Sequence, residues 1–306
     1  MHRTNHREGF ILLSVLISTV LLITSATAFA WFARNEAMRA ESRENILKCR
    51  KVAEIATVVM GEKIASDANG FDSFAEELYR PGHLTRVEIG DYEISATITP
   101  LNDRISTNGI FLPDGVTVRS EYEYAWQSIW TEIGEPQLAS TVIDFMDKGS
   151  TQRLGGSERA ENINRVISDL SELKAIPEIN DEILWGTQDN PGGLSTYLSV
   201  YGDEVININT ASPRVLAVLD DAITSAIARQ IDRYRSARPF TSLEDLTDMP
   251  GFPADAATRL ANIIGFESTC FLLNMTVLDN TKKSTRNYKI ILERCTSGCR
   301  VLTFDE

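Results

Sequence analysis

The stretch FILLSVLISTVLLITSATAFAWFA, residues 10–33, carries no charged side chain over 24 positions. A helix rises about 1.5 Å per residue, so roughly 20 apolar residues cross the hydrocarbon core of a bilayer. In water such a helix needs burial on every side, which a single surface helix does not get. Trp31 and Phe32 stand at its distal end, where aromatic rings favour the membrane interface. Two other readings stay open. A secretory signal peptide has a shorter apolar core and a small-x-small cleavage site, for which Ala26-Thr27-Ala28 qualifies. A plain uncleaved anchor also fits. Upstream lies a polar leader, MHRTNHREG (1–9), with Arg3, Arg7 and a closing Gly9.

Downstream the helix is expected to continue. From Arg34 to about Ala68 there is no proline, and the only glycine is Gly61. Ile46, Cys49, Val52, Ala53, Ala56, Val59, Met60 and Ile64 recur at spacings of three and four, the mark of one helical face. Arg43, Glu44, Lys48, Arg50, Lys51 and Glu54 fill the other side. Residues 84–99 read as a hairpin turning at Gly90-Asp91, with Val87, Ile89, Tyr92, Ile94, Ala96 and Ile98 alternating. The C-terminus has the same texture: 270–279 and 285–295 flank a polar turn, and 299–304 follow. Between them, residues 100–265 read as mostly helical, with loops at Gly134-Glu135-Pro136, Gly155-Gly156 and Pro191-Gly192-Gly193. Two short β fragments are each too small to stand alone. One antiparallel sheet interrupted by an inserted helical domain is the economical α+β solution.

Composition narrows the chemistry. The 306 residues are 43% hydrophobic and 24% charged, as in a globular protein, with 30 Lys+Arg against 43 Asp+Glu for a net charge of −13. An acidic chain repels phosphate, so no nucleic-acid partner is expected. The three histidines, two of them in the leader, exclude a His-rich metal site. Neither a nucleophile elbow, a P-loop nor an HExxH motif is present, so no catalytic residues and no enzymatic activity are expected.

The leader ending in Gly9 before Phe10 resembles the class III signal of type IV pilins and pseudopilins. The resemblance implies cleavage by a prepilin peptidase between Gly9 and Phe10, methylation of the new N-terminal Phe10, and retention of the anchor. Most such chains carry Glu at the fifth mature position; here it is Ser14. The departure fits one class, minor pseudopilin K of type II secretion. The stretches EGFILLSVLIS (8–18), STVIDFMDKGSTQRLGGSE (140–158), ISDLSEL (167–173) and LSTYLSVYGDEVININTAS (194–212) carry that resemblance, the family of general secretion pathway protein K. It implies a pilin-like sheet with a large helical insertion, and a tip complex with minor pseudopilins I and J on an inner-membrane secretion platform. The expected parts are a leader (1–9), a transmembrane helix (10–33), a pilin-like helix with first strands (34–99), the insertion (100–265) and C-terminal strands (266–306). The protein is expected in the bacterial inner membrane as a single-pass chain with its C-terminal domain in the periplasm.

Residues 205–266 also resemble helix-hairpin-helix (SAM-like) DNA-binding modules. A phosphate-binding hairpin presents backbone N–H groups from a glycine-rich turn. Here Pro253 stands where the second glycine belongs, and Leu219-Asp220-Asp221-Ala222 has two acids and no glycine. Residues 206–266 hold six arginines against seven acids. A helical scaffold is therefore expected, with Val215, Leu216, Val218, Leu219, Ile223 and Ile227 in its core. Asn207 and Asn209 should tie the loop before a helix capped by Thr210 or Ser212. A membrane-anchored periplasmic DNA-binding protein is the alternative reading.

The family resemblance further implies calcium in the helical domain. Asp144 and Asp147 share a face of a helix end, and Glu158 follows a Gly-Gly turn that brings it back toward them, so these three are the candidate ligands. The typical acidic run is nevertheless broken by Lys148-Gly149-Ser150, and Arg159 replaces an acid. In an oxidising periplasm one disulfide is expected among Cys270, Cys295 and Cys299, while Cys49 on the helix's apolar face reads as a buried thiol.

Overall fold

The computed structural model describes residues 5–188 and 192–306, and gives the side chains from Phe10 onward. Residues 1–4 of the leader, Arg3 among them, and Pro191 of the third expected loop lie outside the described residues.

One helix, α1 (Asn5–Ala65), joins the apolar segment to the amphipathic one without a break. Among the described residues it is the one helix long and apolar enough to cross a membrane, and none of its apolar window is buried. Further along, Cys49, Val52, Ala53, Ala56, Met60 and Ile64 are buried as the periodicity predicts, whereas Val59 turns outward. Ion pairs Glu44–Lys48 and Lys51–Glu54 line the polar side. The chain divides into two compact units at Glu54/Ile55.

Within the second unit, β1 (Thr85–Ile89) and β2 (Tyr92–Pro100) form the expected hairpin, with Ile89 opposite Tyr92 and Gly90 at φ +58°. A two-residue turn of this kind needs a positive φ, which glycine adopts without a Cβ clash. The chain then leaves the sheet for about 170 residues. The insertion holds β3 (Ile105–Ser106), α2 (Glu123–Ile133), α3 (Leu138–Met146), α4 (Asp181–Trp185), β4 (Leu198–Ser199), β5 (Ile206–Asn207), α5 (Pro213–Leu219), α6 (Ser225–Ala237), α7 (Leu243–Thr247), α8 (Ala254–Leu260) and β6 (Ile264–Gly265). It returns as β7 (Cys270–Asp279), β8 (Ser284–Cys295) and β9 (Gly298–Asp305). The antiparallel sheet runs in the order β1-β2-β7-β8-β9. β2 and β7, the two strands that bracket the insertion, are neighbours, with Pro100 opposite Phe271.

Two short parallel ladders subdivide the insertion. β3 pairs with β4, closing residues 105–199, and β5 pairs with β6, closing 206–265. One apolar core runs through both halves, from Ile105 and Trp126 to Leu246 and Ile264. Residues 147–180 are largely irregular rather than helical, with one 3-10 turn at Leu170–Ala175. Gly149, Gly155 and Gly156 interrupt helix there, and Asn162 Nδ2 donates to the backbone oxygens of Asp144 and Ser157.

Candidate functional site

Buried polar side chains tie the junction between sheet and insertion. Leu101 N–H donates to Cys270 O at 2.8 Å, so the chain departs and returns at one point. Asn102 is buried there. Its Nδ2 donates to Asp203 Oδ1 (2.9 Å) and Thr269 Oγ1 (3.2 Å), and its Oδ1 accepts from the N–H groups of Thr269 (3.0 Å) and Cys270 (3.1 Å). Asp72, in the loop after α1, is fully buried and accepts two guanidinium bonds from Arg294 on β8, at 2.8 and 3.0 Å. Asp72 also accepts the N–H of Ser268. Arg294 donates to the Tyr79 hydroxyl (3.0 Å) and lies 4.8 Å over the Phe271 ring. Burial and then the Asp72 charge push the Tyr79 hydroxyl far above its ordinary pKa, with Arg294 opposing, so it stays neutral. A buried carboxylate persists only where a counter-ion and several donors replace water. Asp72, Asn102 and Arg294 escaped the sequence reading, because the partners lie 167 and 222 positions apart.

The 206–266 segment is tied as expected at its start. Asn207 Oδ1 accepts the Asn209 N–H (2.9 Å), and its Nδ2 donates to Asp72 O and Ser268 Oγ, both at 2.9 Å. Asn209 exchanges two bonds of 2.8 Å with the Phe240 backbone. Of the two candidate caps, Ser212 is the N-cap of α5, accepting from Val215 N–H, with Pro213 in the first turn. Val215, Leu216, Val218, Leu219 and Ile223 are buried, and Ile227 packs partly against them. The first hairpin turn is filled by its own acid. Asp220 Oδ1 accepts the Ala222 N–H (2.9 Å), and Arg259 on α8 clamps the same carboxylate with two bonds of 2.6 Å. The arginine thus holds the carboxyl below the usual carboxylate range, against burial. A phosphate would meet a carboxylate here, where a DNA-binding hairpin offers bare N–H groups.

The acid cluster is real but differently used. α3 is buried on nearly every side, so Asp144 in its last turn is carried inside, and Asp147 as its C-cap follows. Both acids converge on Arg153. Its Nη1 lies 3.1 Å from Asp144 Oδ1 and also bonds Asp147 Oδ2, and its backbone N–H points at Asp144. Burial opposes charge at Arg153, and the bonds to Asp147 and Asp144 outweigh it, so its pKa is raised. Glu158 does not join the pair: among the described residues, no three His, Cys, Asp or Glu side chains group as metal ligands. Arg159 pairs instead with Glu178, at 2.6 Å. The residues present do not fit calcium, because a guanidinium stands between the two carboxylates. Arg153 was missed because sequence spacing drew notice to its neighbours Lys148 and Arg159. The available signal was two acids in an apolar helix end, which demand a cation.

The cysteines depart from expectation. Cys270, Cys295 and Cys299 are free thiols. Cys270 stands opposite Glu293, so Cys295 is displaced by two residues along the same face. Diagonal positions of that kind lie about 7–8 Å apart, beyond ordinary disulfide reach. Cys295 pairs with Gly298 and Cys299 with Arg294, which puts the two thiols on opposite faces. Cys299 donates to Gly61 O at 3.3 Å. Cys49 is buried, as expected.

At the N-terminus, Gly9 and Phe10 lie inside α1, and Phe10 is exposed. Ser14 Oγ donates back to Ile11 O at 2.9 Å, satisfying itself within the helix.

A helix long and apolar enough to cross a membrane, followed by an antiparallel sheet with a large insertion, defines a chain of pilin-like architecture. Residues 206–266 match the family described as type II secretion system (T2SS), protein K. The fold matches a chain in the crystal structure of the GspK–GspI–GspJ complex from the enterotoxigenic Escherichia coli type 2 secretion system. The TM-score is 0.63 at 14% identity, over 87% of this chain and 98% of that one. No curated protein matches the sequence. The similarity is thus to the protein K family over residues 206–266 and, for the fold, to a chain of that complex.

Proposed function

We propose that this chain is a tip subunit of a type II secretion pseudopilus, serving protein export across the outer membrane without catalysis of its own. α1 anchors it in the inner membrane, with the sheet and insertion in the periplasm, and it acts on the secretion platform together with minor pseudopilins I and J. The observation that carries this reading is the insertion itself, which leaves and re-enters the sheet between paired strands β2 and β7 and adds bulk that a stacking subunit would have to clear. The similarity to a chain of the GspK–GspI–GspJ complex supports the choice of partners.

Ser14 adds a second reason. A serine has no carboxylate to offer a neighbouring subunit's N-terminal ammonium, and its hydroxyl donates within the helix to Ile11 O. A buried charge left without its partner costs about 3–5 kcal/mol. A subunit at the end of the filament, with nothing that needs this pairing, escapes the cost.

Processing and assembly test the proposal. Co-expression with a prepilin peptidase, read by intact mass, should show loss of the nine leader residues and addition of one methyl group at Phe10. Cleavage near Ala28, or none, overturns the reading. Full-length chain in detergent should co-purify with minor pseudopilins I and J, and Ser14→Glu should impair secretion. Wild-type secretion by Ser14→Glu removes the argument from that position.

A further inference from the structure

We propose that Arg153 is a built-in cation: its guanidinium permanently holds the position between Asp144 and Asp147 that a divalent ion would require. The 144–162 loop therefore folds without metal, and becomes a divalent-cation site only when Arg153 is removed. The inference does not depend on the assignment to the secretion pseudopilus.

The geometry carries it. The Asp144 side chain is fully buried and that of Asp147 is 2% exposed. Two carboxylates so placed repel each other and cannot reach water, and a helix C-terminus adds further negative potential. Some cation must sit between them, and a single nitrogen, Arg153 Nη1, touches both. The second terminal nitrogen, Arg153 Nη2, donates to Val116 O, so a carbonyl oxygen also points at this cation. Backbone donors complete the carboxylate shells: Arg153 N–H on Asp144 (3.2 Å) and Gly149 N–H on Asp147 Oδ1 (2.8 Å). Two buried carboxylates with a backbone carbonyl are the hard-oxygen set that calcium selects.

The loop is also closed down sterically. A Cβ on Gly156 would lie 2.0 Å from Asp144 Oδ2, so loop backbone is pressed against that carboxylate. Asn162 Nδ2 pins the other end through Asp144 O at 3.1 Å. Glu158 keeps a buried oxygen without a hydrogen-bond partner, yet it is not grouped with the other two acids. Removing the guanidinium would leave two uncompensated charges and one carbonyl facing a gap about the size of the lost group.

Thermal melts of the full-length chain in detergent, in EDTA and in millimolar calcium, test this. Wild-type Tm should be the same in both. Arg153→Met, which keeps an apolar stem without the charge, should lose on the order of 5 °C or more in EDTA. It should regain most of that loss in calcium. A wild-type Tm that rises by several degrees with calcium overturns the proposal. So does an Arg153→Met loss that is unchanged by calcium. If Arg153→Met does not fold, equilibrium dialysis of wild type and Asp144→Asn against calcium decides. Stoichiometric wild-type binding that Asp144→Asn abolishes overturns the proposal, and the absence of any Asp144-dependent binding supports it.

Discussion

Single residues hold the two halves of this molecule in place. Arg294 on β8 neutralises Asp72 and covers Phe271, and it meets the return of the insertion through its own N–H, 2.7 Å from Thr269 O. Removing a buried charge's partner costs more than removing both members. Arg294→Met should therefore destabilise the fold by about 3–5 kcal/mol. Asp72→Asn combined with Arg294→Met should recover part of that loss in chemical denaturation, and a double variant as unstable as the sum would refute the pairing. Asp220 makes a pH prediction. Arg259 lowers its folded pKa, so its contribution is complete above the unfolded value of about 3.9. That contribution is lost as pH falls from there through the lower folded value. The Tm gap between wild type and Asp220→Asn should be constant from neutral pH to about pH 4, then narrow. A gap that widens on acidification reverses the sign.

At the scale of elements, three of the four α-helix starts in the 206–266 segment are built from local chemistry. Ser212, Thr224 and Ser242 each accept a backbone N–H three residues on, opening α5, α6 and α7. Such a cap satisfies one of the N–H groups a helix leaves unpaired. Ser212→Ala should cost about 1 kcal/mol, measured by urea unfolding, and Ser212→Asp should restore most of it. An equal loss in both would mean that Ser212 matters for packing and not for its oxygen. The β1–β2 turn and the alternation in β7 and β8 belong to the same class of local signal, as does the continuous α1.

For the whole molecule, charge sets which partners are open to it. At −13 overall, and with acids in the first hairpin turn, the chain offers no electrostatic attraction to a polyanion. Full-length protein in detergent should leave duplex DNA unshifted in a gel at micromolar concentration and low salt. A salt-sensitive shift would revive the DNA-binding alternative. The insertion and sheet share one compact unit from Ile55 to Glu306, and its two ladders bring distant ends together.

What the amino-acid sequence determined by itself was everything carried by short-range periodicity. The apolar run at 10–33, the face through Cys49 and Met60, the Gly90-Asp91 hairpin and the strands expected at 270–279 and 285–295 follow from spacings of two, three and four, and the interrupted sheet from β fragments too small to stand alone. Tertiary structure decided what depends on register and on distant partners. A shift of two positions in the β7–β8 pairing separated Cys270 from Cys295. The irregular path after α3 brought Arg153, rather than Glu158, to Asp144 and Asp147. Asn102 met Thr269, and Asp72 met Arg294, across the full length of the insertion. Buried polar groups must find donors and counter-ions wherever the fold brings them, and no local pattern records where those partners come from.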